Sequence, residues 1–160
     1  MLSADLIRNQ LTQTLDEVTL NLPGEKHTGK VREAWSQGKR RLIITTDRVS
    51  AFDRVLTTIP FKGQVLNQLA LFWFDACKDI VPNHIISSPD PNAIVVENLE
   101  PIMVEMVVRG YITGNTSTSA WTHYAKGVRN FCGNILPEGL RKDERLPAPI
   151  VTPSTKAEQG

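Results

Sequence analysis

The chain has 160 residues, 41% of them apolar and 22% charged, a balance that argues against disorder and leaves room for one ordinary domain or for a small lobe and the start of another. Eighteen basic residues stand against 17 acidic ones, which argues against a nucleic-acid partner, since that would select a clustered basic face. No apolar run approaches the roughly 20 residues of a membrane helix and no secretory pattern opens the chain, so no membrane partner and a soluble, cytoplasmic protein are expected.

Residues 3 to 18 have the spacing of an amphipathic helix. Ser3 is placed to cap it, and Leu6, Ile7, Leu11, Leu15 and Val18 recur at three- and four-residue steps until Pro23-Gly24 breaks the pattern. A hairpin follows, with strands over 28–35 and 41–46 and a turn at Ser36-Gln37-Gly38. The basic run Lys39-Arg40-Arg41 falls at its edge and reads as solvated charge. The second strand is β-branched and ends in a polar cluster, Asp47 to Asp53, a common position for either a functional loop or a turn.

Residues 64–80 predict a second helix, with Leu66, Leu69, Ala70, Trp73, Phe74 and Cys77 forming a core-facing side. Short strands are expected at 85–86 and 93–97, around the turn Pro89-Asp90-Pro91-Asn92. The stretch 102–109 begins apolar on both faces, as a covered central strand does. Gly110 and Gly114 bracket a loop, 117–126 reads as helix, and the proline-rich remainder reads as loop. Cys77 and Cys132 lie far apart with no C-x-x-C pair, which favours reduced thiols, and His27, His84 and His123 are too scattered to suggest a metal set.

Four places carry potential chemistry. If Gly29-Lys30-Val31-Arg32 is strand, side-chain alternation puts Lys30 and Arg32 on one face, and Gly29 lets the backbone approach a ligand. Two such cations make a polyphosphate clamp, although the bare pattern is also that of surface charge. Arg109 ends an apolar strand with Glu105 four residues earlier on the same face. A guanidinium there requires an anionic partner, either a neighbouring carboxylate or a ligand's phosphate or carboxylate. Lys62-Gly63 and Thr152-Pro153-Ser154-Thr155-Lys156 are further anion-ready segments, while Arg129, Arg141, Lys142 and Arg145 read as a solvated face.

Read together, these blocks resemble one family. Gly29-Lys30-Val31-Arg32-Glu33, Thr46-Asp47-Arg48-Val49-Ser50-Ala51-Phe52-Asp53 and Lys62-Gly63-Gln64-Val65-Leu66-Asn67-Gln68 are similar to the first three blocks of the SAICAR synthetases. Phe72-Trp73-Phe74, Val107-Val108-Arg109-Gly110-Tyr111-Ile112-Thr113-Gly114, Leu136-Pro137-Glu138-Gly139-Leu140 and Thr152-Pro153-Ser154-Thr155-Lys156-Ala157-Glu158 continue the likeness in order.

The resemblance implies an α+β, ATP-grasp- or kinase-like fold. It would comprise a β-rich nucleotide lobe (1–105) and the beginning of a second, α/β lobe (106–160), with ATP between them. It implies an ATP- and magnesium-dependent ligase that joins carboxyaminoimidazole ribonucleotide to L-aspartate. Gly29, Lys30, Arg32 and Glu105 would contact ATP, and Arg109 and Lys156 would be catalytic. Asp47, Ser50, Asp53, Lys62, Arg109, Asn115 and Ser117 would contact substrate. The loop 115–121 is longer than the family's usual form, which leaves open the residue that meets the ribonucleotide phosphate. Family members also continue into a segment bearing acidic magnesium ligands. The resemblance therefore implies a truncated chain, with a nucleotide-binding fragment or a kinase-like phosphotransferase as alternatives and self-association as a consequence of exposed apolar surface.

Overall fold

Short β-branched runs and the polar residues at their ends organise the first hundred residues. The computed structural model describes residues 3–52 and 54–155. It divides between Glu100 and Pro101 into two units. In chain order the first holds α1 (Ala4–Gln10), β1 (Glu25–Thr28), β2 (Arg32–Gln37), β3 (Arg40–Thr45), β4 (Arg48–Ala51), β5 (Arg54–Thr58), α2 (Lys62–Ala76), β6 (Ile85–Asp90) and β7 (Ala93–Glu97). The second holds β8 (Val104–Ile112), α3 (Ala120–Ala125), β9 (Asn130–Phe131), β10 (Asn134–Ile135) and β11 (Glu144–Thr155).

In the first unit an antiparallel sheet runs β1-β2-β3-β7-β6, and β4 and β5 form a separate hairpin. Alternation along β2 and β3 places Trp35 and Ile44 in a core with Val18 and Ala93, flanked by Leu15 and Leu42. Of the basic run, Lys39 and Arg40 are exposed, but Arg41 is half-buried and its buried Nε has no hydrogen-bond partner among the described residues.

Two helical expectations are corrected. The first helix is capped by Ser3, whose Oγ accepts from the Leu6 N–H at 3.2 Å, but it ends at Gln10 rather than Val18. Asp47 diverts the chain beyond it: the Leu15 N–H donates to Asp47 Oδ2 and the Asp47 N–H to the Leu15 carbonyl, each at 2.8 Å. Leu15 and Val18 thus reach the core from an irregular segment. Helix α2 does not bury the apolar side its periodicity suggests. Leu66, Leu69, Phe72 and Trp73 are all exposed, and the buried positions are Gly63 and Asn67, one turn apart. Polar bonds hold this helix, with Asn67 Nδ2 donating to the Pro91 carbonyl at 2.9 Å and the Gly63 N–H to Asp47 Oδ1 at 2.8 Å.

The second unit begins five residues earlier than the sequence boundary at 105/106, because Val104 pairs with Thr155 and Glu105 with Ser154. Strand β8 is not the covered central strand expected. Among the described residues its one strand partner is β11, and Met106 and Val108 are exposed. The tail expected as loop is strand β11, twelve residues long with an irregularity between Arg145 and Ile150. Pro147 and Pro149 fall inside that irregularity, and Pro153 sits opposite Met106. A ribbon of two strands tolerates them because each strand has one unpaired edge.

Ile112, Ala120, Tyr124, Leu136 and Leu146 form this unit's core. The Tyr124 hydroxyl donates to the Pro137 carbonyl (2.8 Å) and accepts from the Leu140 N–H (3.0 Å). Arg129, expected on a solvated face, lies 3.9 Å over the Tyr124 ring and forks onto both oxygens of Glu138. Cys77 and Cys132 are free thiols. No described helix is long and apolar enough to cross a membrane.

The closeness of α2 to β3 gives a direct test. A Cβ at Gly63 would lie 2.3 Å from the Thr45 carbonyl oxygen and 2.8 Å from that of Thr46. Gly63→Ala is expected to destabilise the protein by about 1–3 kcal/mol through overpacking, read as a lower urea midpoint at unchanged slope. An unchanged midpoint would show that the helix is free to move away.

Candidate functional site

The connection between β1 and β2 is a tight tip at residues 29–31, closed by the Gly29 N–H donating to the Arg32 carbonyl at 2.8 Å. Lys30 is therefore in the turn and not on a strand, and side-chain alternation does not set its relation to Arg32. That correction leaves both side chains exposed at one end of the sheet.

The backbone of the tip is tied down from β4. Arg48 Nη2 donates to the Gly29 carbonyl and Nε to the Lys30 carbonyl, both at 2.9 Å. Thr46 adds two donors to the Val31 carbonyl, its N–H at 3.0 Å and its hydroxyl at 2.8 Å. The remaining Arg48 nitrogen, Nη1, donates to Glu33 Oε1 at 2.9 Å and to the Asp16 carbonyl. Both partners of this ion pair are buried. Burial drives the Glu33 carboxyl upward in pKa. Hydrogen bonds from Arg48 and Thr28, with the charges of Lys26 and Arg48, outweigh it and hold the group below the ordinary glutamate value.

Three sequence candidates gather beside the pair. Asp47 is buried, and each of its carboxylate oxygens accepts a backbone N–H, one from Leu15 and one from Gly63. Lys62 opens α2 and its Nζ donates to the Arg48 carbonyl at 2.9 Å. Ser50 lies half-buried in β4 opposite Val55. Asp53 lies outside the described residues.

In the second unit Arg109 stands half-buried on β8 opposite Ile150. Its Nε donates to Thr152 Oγ1 at 2.9 Å, and that hydroxyl donates in turn to the Val107 carbonyl at 3.1 Å. This bond occupies one of the five donors of a guanidinium. Glu105 is exposed and pairs across the ribbon with Ser154. Gly114 takes φ +106°, and a Cβ there would lie 2.4 Å from that of Ser119. Ser119 is buried and bonded locally to Thr116 and Thr122, whereas Asn115 and Ser117 are exposed and make no side-chain hydrogen bond among the described residues. Lys156 lies outside the described residues.

Sequence reasoning missed Arg48 and Thr152 as supporting residues. Each sat inside a quoted motif, but their partners lie 15 to 45 positions away. Among the described residues no three His, Cys, Asp or Glu side chains come together to hold a metal ion. The described residues thus form no all-protein metal cage, whereas magnesium is commonly held by one or two carboxylates together with the phosphates of a nucleotide.

The family model described as SAICAR synthetase matches residues 25–160. The chain is 52% identical over 155 residues to the chloroplastic phosphoribosylaminoimidazole-succinocarboxamide synthase of Arabidopsis thaliana, covering 94% of this chain and 38% of that protein. It is 52% identical over 133 residues to the synthase of Legionella pneumophila (strain Lens), covering 83% of this chain and 43% of that one. The solved SAICAR-synthase from Saccharomyces cerevisiae complexed with SAICAR superposes with a TM-score of 0.76 at 31% identity, over 91% of this chain and 55% of that one. The chain spans about half the length of these relatives or less.

The lowered Glu33 carboxyl makes stability depend on pH. Because its folded pKa lies below the unfolded one, its contribution is fully present above the ordinary glutamate range and is lost as pH falls through the folded value. Glu33→Gln is expected to be less stable than wild type at neutral pH and to show a flatter loss of stability on acidification. Parallel acid-unfolding curves for the two proteins would show that Glu33 does not carry this dependence.

Proposed function

The chain belongs to the SAICAR synthetase family, and from that premise we propose that it acts in the ATP-dependent joining of carboxyaminoimidazole ribonucleotide to L-aspartate, with ADP and phosphate as co-products. The observation that carries this reading is the likeness to the yeast enzyme complexed with SAICAR, at 31% identity over 91% of the chain. On this reading the first unit is the nucleotide lobe and the second contributes to the ribonucleotide site.

The chemistry divides into two steps. A carboxylate is a poor electrophile, so one of its oxygens first attacks the γ-phosphorus of ATP; the bond from that phosphorus to the bridging oxygen breaks and ADP leaves. The aspartate amine then attacks the acyl carbon. A C–N bond forms, the C–O bond to phosphate breaks, and the amine proton is lost to the medium. Both steps build negative charge on phosphoryl oxygens, which favours fixed cations and N–H donors.

Lys30 and Arg32, with the tip at Gly29, supply such groups to the ATP phosphates. Arg109, half-buried and braced at Nε, suits a phosphate or carboxylate of the ribonucleotide because its guanidinium presents two parallel donors to a two-oxygen anion. Glu105 is assigned to ATP, and Ser50, Lys62, Asn115 and Ser117 are assigned to substrate binding. Asp53 and Lys156 keep the binding and catalytic roles implied for them by the family motif. Asp47 acts by fixing the backbone around the site. Magnesium, when bound, neutralises phosphate charge.

A coupled ADP-release assay tests the proposal. Release is expected with ATP, magnesium, the ribonucleotide and L-aspartate together, and to stop when any one is left out. Arg109→Gln is expected to lower kcat/KM for the ribonucleotide by roughly 10- to 100-fold, the size of a lost hydrogen bond to a charged group. ADP release that ignores aspartate would make the protein a phosphotransferase instead. ATP binding without any turnover would reduce the reading to nucleotide binding.

A further inference from the structure

Arg48 approaches the hairpin tip with one edge of its guanidinium. Nε and Nη2, adjacent on that edge, hold the carbonyls of two consecutive residues, Lys30 and Gly29, each at 2.9 Å. Among the described residues no peptide bond is cis. In a trans peptide the C=O and the following N–H point in opposite directions. Drawing the Gly29 and Lys30 carbonyls onto Arg48 therefore turns the N–H groups of Lys30 and Val31 to the other side of the tip.

Two consecutive amides facing one way form the kind of concave backbone donor site that receives phosphate oxygens. The next carbonyl, of Val31, is engaged separately by Thr46, so the tip is fixed through three residues. The guanidinium itself is held by the buried Glu33 carboxylate and the Asp16 carbonyl. Arg48 is thereby kept from turning toward a ligand.

We propose that Arg48 is a positioning residue for phosphate binding, orienting the Lys30 and Val31 amides so that they, together with the exposed Lys30 and Arg32 side chains, receive the polyphosphate of a nucleoside triphosphate. The proposal rests on the reading that this tip meets the ATP phosphates. It goes further by making the backbone, and not only the two cations, the recognising group.

The experiment is a titration of the full chain with tripolyphosphate and with ATP, followed by backbone amide NMR and by calorimetry. In the wild type the Lys30 and Val31 amide protons are expected to shift downfield and exchange more slowly on binding of either ligand. Arg48→Lys keeps a cation for Glu33 but has no planar edge to hold two carbonyls at once. It is expected to bind tripolyphosphate at least tenfold more weakly, without the two amide shifts, while its binding of the ribonucleotide stays at the wild-type level.

Wild-type affinity in Arg48→Lys would overturn the proposal. So would binding that leaves the Lys30 and Val31 amides unmoved. Should Arg48→Lys fail to fold, the double variant Arg48→Gln with Glu33→Gln, which leaves no buried charge unpaired, carries the same expected outcomes. The two readings also separate: ATP bound with silent tip amides sinks this proposal and spares the ligase reading. Tip amides that shift with ATP in a protein whose ADP release ignores aspartate do the reverse.

Discussion

A buried charge that cannot be shed must be met by another, and in the first unit that requirement falls on Arg48 and Glu33. Both are under one-tenth exposed. An isolated guanidinium at that depth would be untenable, and losing either partner from such a pair typically costs about 3–5 kcal/mol. Their other bonds spread this constraint outward. Glu33 also accepts from the Thr28 hydroxyl and lies 3.4 Å from Lys26 Nζ, while Lys26 reaches the Val18 carbonyl and lies over the Trp35 ring. Strand β1, the N-terminal segment, the hairpin tip and the start of β4 are thus positioned by one desolvated interaction.

Asp47 next to it solves a different problem. Its carboxylate accepts two backbone N–H groups that have no ladder or helix partner, one from an irregular segment and one from the first turn of α2. The N–H groups of a first turn have no intrahelical acceptor. Phe61, the residue before α2, takes φ +64° and gives no side-chain cap, so a distant aspartate supplies the acceptor. Arg48 and Asp47, adjacent in sequence, organise the hairpin tip and the helix entry respectively.

The strands β2, β3 and β7 were legible because β-branched alternation and Gly-containing turns are local signals. What failed was whatever depended on a partner far along the chain. Leu11, Leu15 and Val18 keep helical spacing, but Asp47 competes for the Leu15 backbone from 32 residues away. Strand alternation would put Lys30 and Arg32 on one face, but the turn that separates them is fixed by Arg48 and Thr46. Helix α2 has apolar periodicity on a side left exposed, while the stripe in contact is small and polar, Gly63 and Asn67. In the second unit Tyr124 and Arg129 exchange bonds with Pro137, Leu140 and Glu138, a knot invisible until the chain returns. Motif resemblance captured Gly63, Gly114 and Arg109 without their reasons. The first two mark approaches too close for a Cβ, and the third needs Thr152 to brace it.

The prolines of β11 bear on how the ribbon behaves toward other chains. With Met106 and Val108 exposed on β8, the second unit has the composition of a segment that recruits further strands. Proline has no N–H to offer a ladder, and β11 carries three prolines, two in its irregular stretch at 147 and 149 and one in the paired run at 153. An incoming strand finds acceptors there without the matching donors and cannot extend a regular ladder. The tail that looked too rich in proline to be structured is thereby a poor template for edge-to-edge growth.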